Sequence, residues 1–331
     1  MKKQSIRENR IAHIALALAL LIGSFSLFSI TFGLQLNNRL FYTTNQDKLV
    51  YNDAKQSESG TLSSLGELFS FNAEPENTVP ARYILQKLEK LGNIRADSFL
   101  VGDLDTGEVI FERKPYTEYP IASVTKYMTA YTAAESFDPN EVAEITTSKL
   151  AVEGNRAGFK VGDSFTIREL LYPLLLVSSN DAAEIIAQQR DRDSFIRSMK
   201  IEVERIGMHD THFEDPTGLS KGNTSTARDL FTMMRAVRDD YPQIIDISRL
   251  SFKENGNYVW TNINKASSFE EFRGGKTGYT NAARQTSIGY YQIKLANDQI
   301  KNIAVVILQS DTREQDTRNI LEYLKRYVAY L

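Results

Sequence analysis

Three short strings along the chain carry side chains that could act together on a carbonyl: Ser123-Val124-Thr125-Lys126, Ser178-Ser179-Asn180 and Lys276-Thr277-Gly278. They supply a serine hydroxyl as nucleophile, an amine to deprotonate it, and a second amine beside a hydroxyl and a glycine on which a carboxylate could dock. Residues three apart share one face of a helix, so Lys126 can reach Ser123 if the run from Pro120 to Glu135 is helical. Pro120 suits a helix start, and Ser123 would then lie in the first turn. There the free N–H groups and the positive end of the helix dipole favour the anion that forms when a serine attacks a carbonyl. An amine acts as a base near neutral pH only if its pKa falls. Crowding Lys126 against Lys276 in a buried pocket would lower it by repulsion and desolvation.

Rival chemistries lack their residues. The chain has no cysteine, which excludes disulfides, thiolate metal sites and a cysteine nucleophile. Its three histidines are His13 in an apolar run and His209 and His212 in what reads as a loop, too few and too scattered for a three-histidine zinc site. That leaves lysine as the better base. A net charge of -3 gives no basic footprint for nucleic acid, and 42% hydrophobic with 24% charged residues describes an ordinary globular protein. No cofactor is implied, and oligomeric state leaves no mark in the sequence.

The elements that must position these groups follow an anchor and a tether. Residues 11–34 contain no Asp, Glu, Lys or Arg, and a helix of that length would span roughly 36 Å, enough to cross a hydrocarbon core. Lys2, Lys3, Arg7 and Arg10 precede it, so residues 1–10 are expected in the cytoplasm and everything beyond residue 35 outside the cytoplasmic membrane. A cleaved signal peptide is the competing reading, but no A-x-A site follows the run. Residues 35–80 read as a polar flexible linker, in which Leu62, Leu65, Leu68 and Phe69 could form one amphipathic turn.

The catalytic domain is expected at 81–331. ARYILQKLEKLG reads as an amphipathic helix, and SFLVGDLDTGEVIFER as two strands joined at Asp105-Thr106-Gly107. A largely helical stretch covers 121–238, strand-like segments follow at 257–261, 286–294 and 302–308, and ILEYLKRYVAYL closes the chain as a helix. Strands at both ends with helices between them predict an α+β layered fold whose first and last segments share one sheet.

In extended context the motifs resemble those of the low-molecular-weight penicillin-binding proteins, the serine-type D-alanyl-D-alanine carboxypeptidases. YPIASVTKYMTA is similar to their nucleophile segment, LLYPLLLVSSNDAAEIIA to their second motif, IGMHDTHFEDPTGLS with STARDL to the segment after it, and GGKTGYT to the third. The similarity covers about residues 82–331. The triplet set is an established signature of these proteins and of class A β-lactamases.

The resemblance implies a β-lactamase/DD-peptidase-like fold, an antiparallel sheet flanked by helices plus a helical subdomain. By matching position it makes Ser123 the nucleophile, Lys126 its base, Ser178 the relay to the departing D-alanine amine, and Asn180 the holder of Lys126 and the substrate amide. Lys276, Thr277 and Gly278 would bind the terminal carboxylate, the N–H groups of Ser123 and Tyr279 would form the oxyanion hole, and Arg313 would add a second cation. Peptidoglycan stem peptides are the implied substrates and β-lactam antibiotics the implied covalent inhibitors. The chain departs from the family pattern at Ser179, Gly275 and Arg284, none of which removes a catalytic group; Arg284 stands where it could alter the floor of the site. A β-rich second domain, frequent in the family, is not expected, and the N-terminal span would do the anchoring. Three alternatives share these residues: an endopeptidase that cuts cross-links, a class A-like β-lactamase, and an inactive wall-binding protein. The lactamase reading lacks an E-x-x-L-N string between Asn180 and Lys276.

Overall fold

Alternation along the last long strand shows how the layers form. A computed structural model describes residues 82–87 and 89–331, so the expected span at 11–34 and the linker at 35–80 lie outside the described residues. Among the described residues no helix is long and apolar enough to cross a membrane.

The chain runs through β1 (Tyr83–Leu85), β2 (Ser98–Asp103), β3 (Val109–Arg113) and β4 (Tyr119–Pro120) into a 3-10 turn at Ala122–Val124 and helix α1 (Thr125–Ser136). The pair β5 (Val142–Glu144) and β6 (Ser164–Thr166) precedes α2 (Ile167–Leu176), α3 (Asn180–Ala187) and α4 (Arg192–Ile206). Then come β7 (Thr224–Ser225), α5 (Ala227–Asp240), α6 (Pro242–Ser248) and the hairpin of β8 (Phe252–Asn255) and β9 (Tyr258–Thr261). The chain ends with β10 (Phe272–Thr280), β11 (Arg284–Lys294), β12 (Ile300–Ser310), α7 (Arg313–Tyr327) and β13 (Val328–Tyr330).

A five-stranded sheet in the order β10-β11-β12-β2-β3 is antiparallel throughout. As expected, early and late segments share it: Leu100 of β2 pairs with Val306 of β12. Side chains alternate across a strand. Ala304, Val306 and Leu308 therefore join the core under the helical layer, while Ile303, Val305 and Ile307 pack with Ile320, Leu321 and Leu324 of α7. Both faces are covered, which is why these strands are apolar on both sides. The expected antiparallel sheet flanked by helices with a helical subdomain is thus present.

Helix α1 is buried at every position from Thr125 to Ala133, as befits the central helix of a subdomain. Its surrounding helices start where the sequence provides caps. Thr166 and Glu169 form a capping box at α2, with Glu169 N donating to Thr166 Oγ1 at 3.2 Å and Thr166 N to Glu169 Oε2 at 2.8 Å. Asp191 caps α4, which stops at Gly207 in the left-handed region.

Three expectations need correction. ARYILQKLEKLG does not form a helix: Tyr83–Leu85 pairs as a strand with Val328–Tyr330. Tyr83 stacks edge-on against Tyr330 at 4.8 Å and donates its hydroxyl to Asp103 at 2.6 Å, so tertiary contacts override local helix propensity. The closing helix accordingly ends at Tyr327, where β-branched Val328 begins the partner strand. Tyr119–Pro120 is not the helix start either, because it pairs with Thr224–Ser225 and the helical turn begins only at Ala122.

Candidate active site

Ser123 sits in the 3-10 turn that feeds α1, directly after Ala122, whose φ of 48° lies in the region non-glycine residues rarely occupy. The peptide before Ala122 is clamped on both sides: Ile121 N donates to Asn223 O at 3.0 Å, and Ile121 O accepts from Thr286 Oγ1 at 2.9 Å. The predicted helical spacing holds, since Lys126 Nζ lies 3.0 Å from Ser123 Oγ. Lys126 has no exposed surface. Its amine also donates to Asn180 Oδ1 at 2.7 Å and to the Thr217 carbonyl. Three acceptors match the three protons of the charged amine. In the neutral form the lone pair can instead accept the Ser123 proton.

Burial pushes the Lys126 pKa down to about 7, against the upward pull of Asp215 and then Asp181. Of the two expected causes, desolvation dominates at Lys126, while the repulsion between the two lysines is felt at Lys276. That second amine is held well below its usual value by burial, then by Lys126 and Arg313. A base poised near neutrality is what general-base chemistry requires.

The second motif turns the chain from α2 into α3. Ser178 has a φ of 59°, and Ser179 caps α3 by accepting from Ala182 N at 2.9 Å. This explains the departure at Ser179, since a cap needs an acceptor that glycine lacks. Asn180 occupies the first turn, with its Oδ1 on Lys126 and its Nδ2 donating to Glu153 O at 2.7 Å. One amide proton remains for a substrate. Ser178 is 3% exposed, and among the described residues its hydroxyl has no hydrogen-bond partner.

The third motif lies on β10, the edge strand facing the nucleophile turn. Lys276 and Thr277 are buried, and Lys276 Nζ donates to Thr277 O at 2.7 Å. Gly278 is in contact with the nucleophile: a Cβ there would stand 2.8 Å from both Ser123 N and Ile121 O. The missing side chain lets the strand come close enough to set Tyr279 beside Ser123. Tyr279 is largely exposed. Gly275, the other departure, crosses β11 where a side chain would collide with the Ile288 carbonyl.

Arg313 reaches the same strand, but its guanidinium engages backbone. Nη1 donates to Gly278 O at 2.7 Å and to Thr286 O at 3.4 Å, and Nε pairs with Glu314 at 3.0 Å. Arg284 does not enter the floor of the site; its Nε donates to Asp311 Oδ1 at 2.9 Å and its Nη1 to Gln309 O at 3.3 Å, which locks the turn after β10.

The segment after the second motif also holds residues that shape the site, though the motif triplets do not include them. Asp215 there accepts from Thr217 N, Thr217 Oγ1, Gly218 N and Ser220 N at 2.6 to 2.8 Å, which fixes the loop carrying the Thr217 carbonyl. Gly218, with a φ of 84°, lets this loop pass so close to the Ala122 carbonyl that a Cβ would collide with it. Asn223 ties the loop to α1 by donating to Thr125 Oγ1 at 3.1 Å and to Asp215 O at 2.8 Å. The available signal was Asp-Pro-Thr-Gly, an Asx-turn composition.

A serine in hydrogen-bond contact with a buried amine, at the start of a helix and against the edge of an antiparallel sheet, is an arrangement in which the amine could activate the hydroxyl for attack on a carbonyl. The profile of peptidase family S11, D-alanyl-D-alanine carboxypeptidase, matches residues 85–312. DacB2, a D-alanyl-D-alanine carboxypeptidase of Mycobacterium tuberculosis, is 35% identical over 202 residues, which cover 59% of this chain and 69% of that protein. A D-alanyl-D-alanine endopeptidase of Pseudomonas aeruginosa is 37% identical over 153 residues, 45% of this chain and 49% of that relative, so the match spans about half its length. The crystal structure of a D-alanyl-D-alanine carboxypeptidase from Mycobacterium tuberculosis H37Rv superposes with a TM-score of 0.66 at 28% identity, covering 71% of this chain and 92% of that one. The chain belongs to the S11 family of D-alanyl-D-alanine carboxypeptidases, which makes it a hydrolytic peptidase.

Proposed function

We propose that the protein is a membrane-anchored serine DD-carboxypeptidase that removes the terminal D-alanine from peptidoglycan stem peptides, acting outside the cytoplasmic membrane. The observation that carries this reading is the 3.0 Å contact between Ser123 Oγ and an amine that burial holds near neutrality. Neutral Lys126 takes the hydroxyl proton as Ser123 Oγ attacks the carbonyl of the penultimate D-alanine. The N–H groups of Ser123 and Tyr279 receive the charge on the carbonyl oxygen. The proton passes through Ser178 to the leaving amine, the C–N bond breaks, and D-alanine departs. Water then attacks the ester, giving its proton to Lys126, and the restored Ser123 hydroxyl leaves the shortened peptide. Lys276 and Thr277 bind the terminal carboxylate, and Arg313 supports them by bracing the strand on which they sit. Asn180 holds Lys126 and offers its remaining amide proton to the substrate.

D-alanine release from a stem pentapeptide, set beside cleavage of a cross-linked dimer, tests the substrate assignment. Release from the pentapeptide supports the carboxypeptidase, whereas cleavage of the dimer alone overturns it. The endopeptidase reading draws support from the Pseudomonas relative, whose name is that activity. Labelling with a fluorescent penicillin, with Ser123→Ala as control, tests the acyl-enzyme. A stable adduct is expected, and rapid turnover of the antibiotic would favour a β-lactamase. Labelling that persists in Ser123→Ala would remove the nucleophile assignment.

A further inference from the structure

Thr286 on β11 is fully buried, and three of its groups reach the catalytic elements at once. Its hydroxyl donates to Ile121 O at 2.9 Å, two residues before Ser123. Its backbone is in register with Gly278, the residue before Tyr279. Its own carbonyl accepts from Arg313 Nη1 at 3.4 Å, the same nitrogen that holds Gly278 O at 2.7 Å. One residue therefore touches the chain just ahead of both N–H groups that the proposed mechanism assigns to the oxyanion.

We propose that Thr286 is a positioning residue that sets the separation of the two oxyanion donors, Ser123 N–H and Tyr279 N–H, by tying the strained turn before the nucleophile to the edge of the sheet. The tie acts where the backbone needs it. Ala122 holds a φ of 48°, and Ile121 before it is held from outside by Asn223 O on its N–H and by Thr286 Oγ1 on its carbonyl, which also accepts from Val124 N within the turn at 3.3 Å. Asn223 belongs to the loop side and Thr286 to the sheet side, so the Thr286 bond links the turn to β11, the strand paired with the one that carries Tyr279. Space points the same way. A Cβ on Gly278 would lie 2.6 Å from Thr286 Oγ1 and 2.8 Å from Ile121 O, so strand, hydroxyl and turn are in contact at one point. With the hydroxyl gone, the turn loses its bond to β11, while Asn180 and Thr217, the Lys126 partners outside the turn, keep their places.

This inference rests on the acyl-enzyme reading, and Thr286→Val tests it because valine keeps the shape and removes only the donor. A mispositioned oxyanion donor should slow acylation by a fluorescent penicillin about 10- to 100-fold. The reversible affinity for the penicillin and the midpoint of the acidic limb near pH 7 should stay as in the wild type, since the base is untouched. Thr286→Ser restores the donor and should recover acylation to within about threefold of the wild type. Equal rates for Thr286→Val and wild type, or a shifted acidic midpoint in Thr286→Val, would overturn the positioning role. A slow Thr286→Ser that melts with the wild type would overturn it too. Failure of the wild type itself to label would instead sink the acyl-enzyme reading.

Discussion

The two buried lysines of this site have opposite surroundings. Lys126, on the helix, donates to three oxygens and lies within the field of Asp215 and Asp181. Lys276, on the strand, donates to one carbonyl and feels two cations, Lys126 and Arg313. Both lose affinity for protons through burial, but the carboxylates keep the first near neutrality while the cations push the second further down. A group that must take up and return a proton needs a pKa near the working pH. A group that meets a carboxylate can regain its charge from the ligand, because an opposite charge at close range favours the protonated form. In the proposed mechanism the same side chain thus serves two purposes according to the charges around it.

The comparison breaks most sharply at Lys126. Arginine there keeps a cation but cannot act as a base, so Lys126→Arg should lower acylation by about 10²- to 10⁴-fold, the range for loss of a general base. A stopped-flow penicillin assay reads the rate and circular dichroism the fold; a fast Lys126→Arg enzyme would refute the assignment. The effect of Lys276→Met should be smaller and of another kind. One charge-assisted bond to carboxylate contributes about 1.5 to 3 kcal/mol, or roughly 10- to 100-fold in kcat/KM. The loss should appear for a peptide with a free C-terminal carboxylate and nearly vanish for its amide, and an equal loss for both would remove the docking role.

Most of the candidate site was legible because its motifs are local. Ser123 and Lys126 meet through helical spacing, and Lys276 and Thr277 are named by their motif. What was hidden depends on pairings distant in sequence. The strand character of FRGGKTGYT was masked by glycines whose use is close approach to Ser123 and β11. The helix expected at ARYILQKLEKLG became a strand because Val328–Tyr330 lies beside it. Thr286 acts through the carbonyl of Ile121, 165 residues away along the chain, and no composition or periodicity marks such a contact. The cause of the Lys126 shift was half legible, since burial was foreseen and the opposing carboxylates were not.

Asp215→Asn sharpens the electrostatic half of the comparison. Asp215 raises the Lys126 pKa, so its removal should move the acidic limb of the pH–rate profile below the wild-type midpoint near 7. Asparagine retains one acceptor oxygen for Thr217 and Gly218 but loses the acceptor for Ser220 N, so a thermal melt of the variant is read beside its pH profile. Profiles for the two proteins superimposed on one another would show that the carboxylate does not reach the amine.

The smallest expected effect is on stability. Lys126 binds a proton in the unfolded chain up to its ordinary pKa of 10.5, but in the folded protein only up to about 7. Between those values the unfolded state holds more protons, so this group makes stability rise with pH across the window and contributes no slope below it. Lys126→Met removes that slope. Urea unfolding at pH 7, 8 and 9 should show wild-type stability gaining on the variant at each step, with other groups cancelling in the difference. A constant difference over that range would mean the amine is not discharged by folding, and the contrast between the two lysines would lose its physical basis.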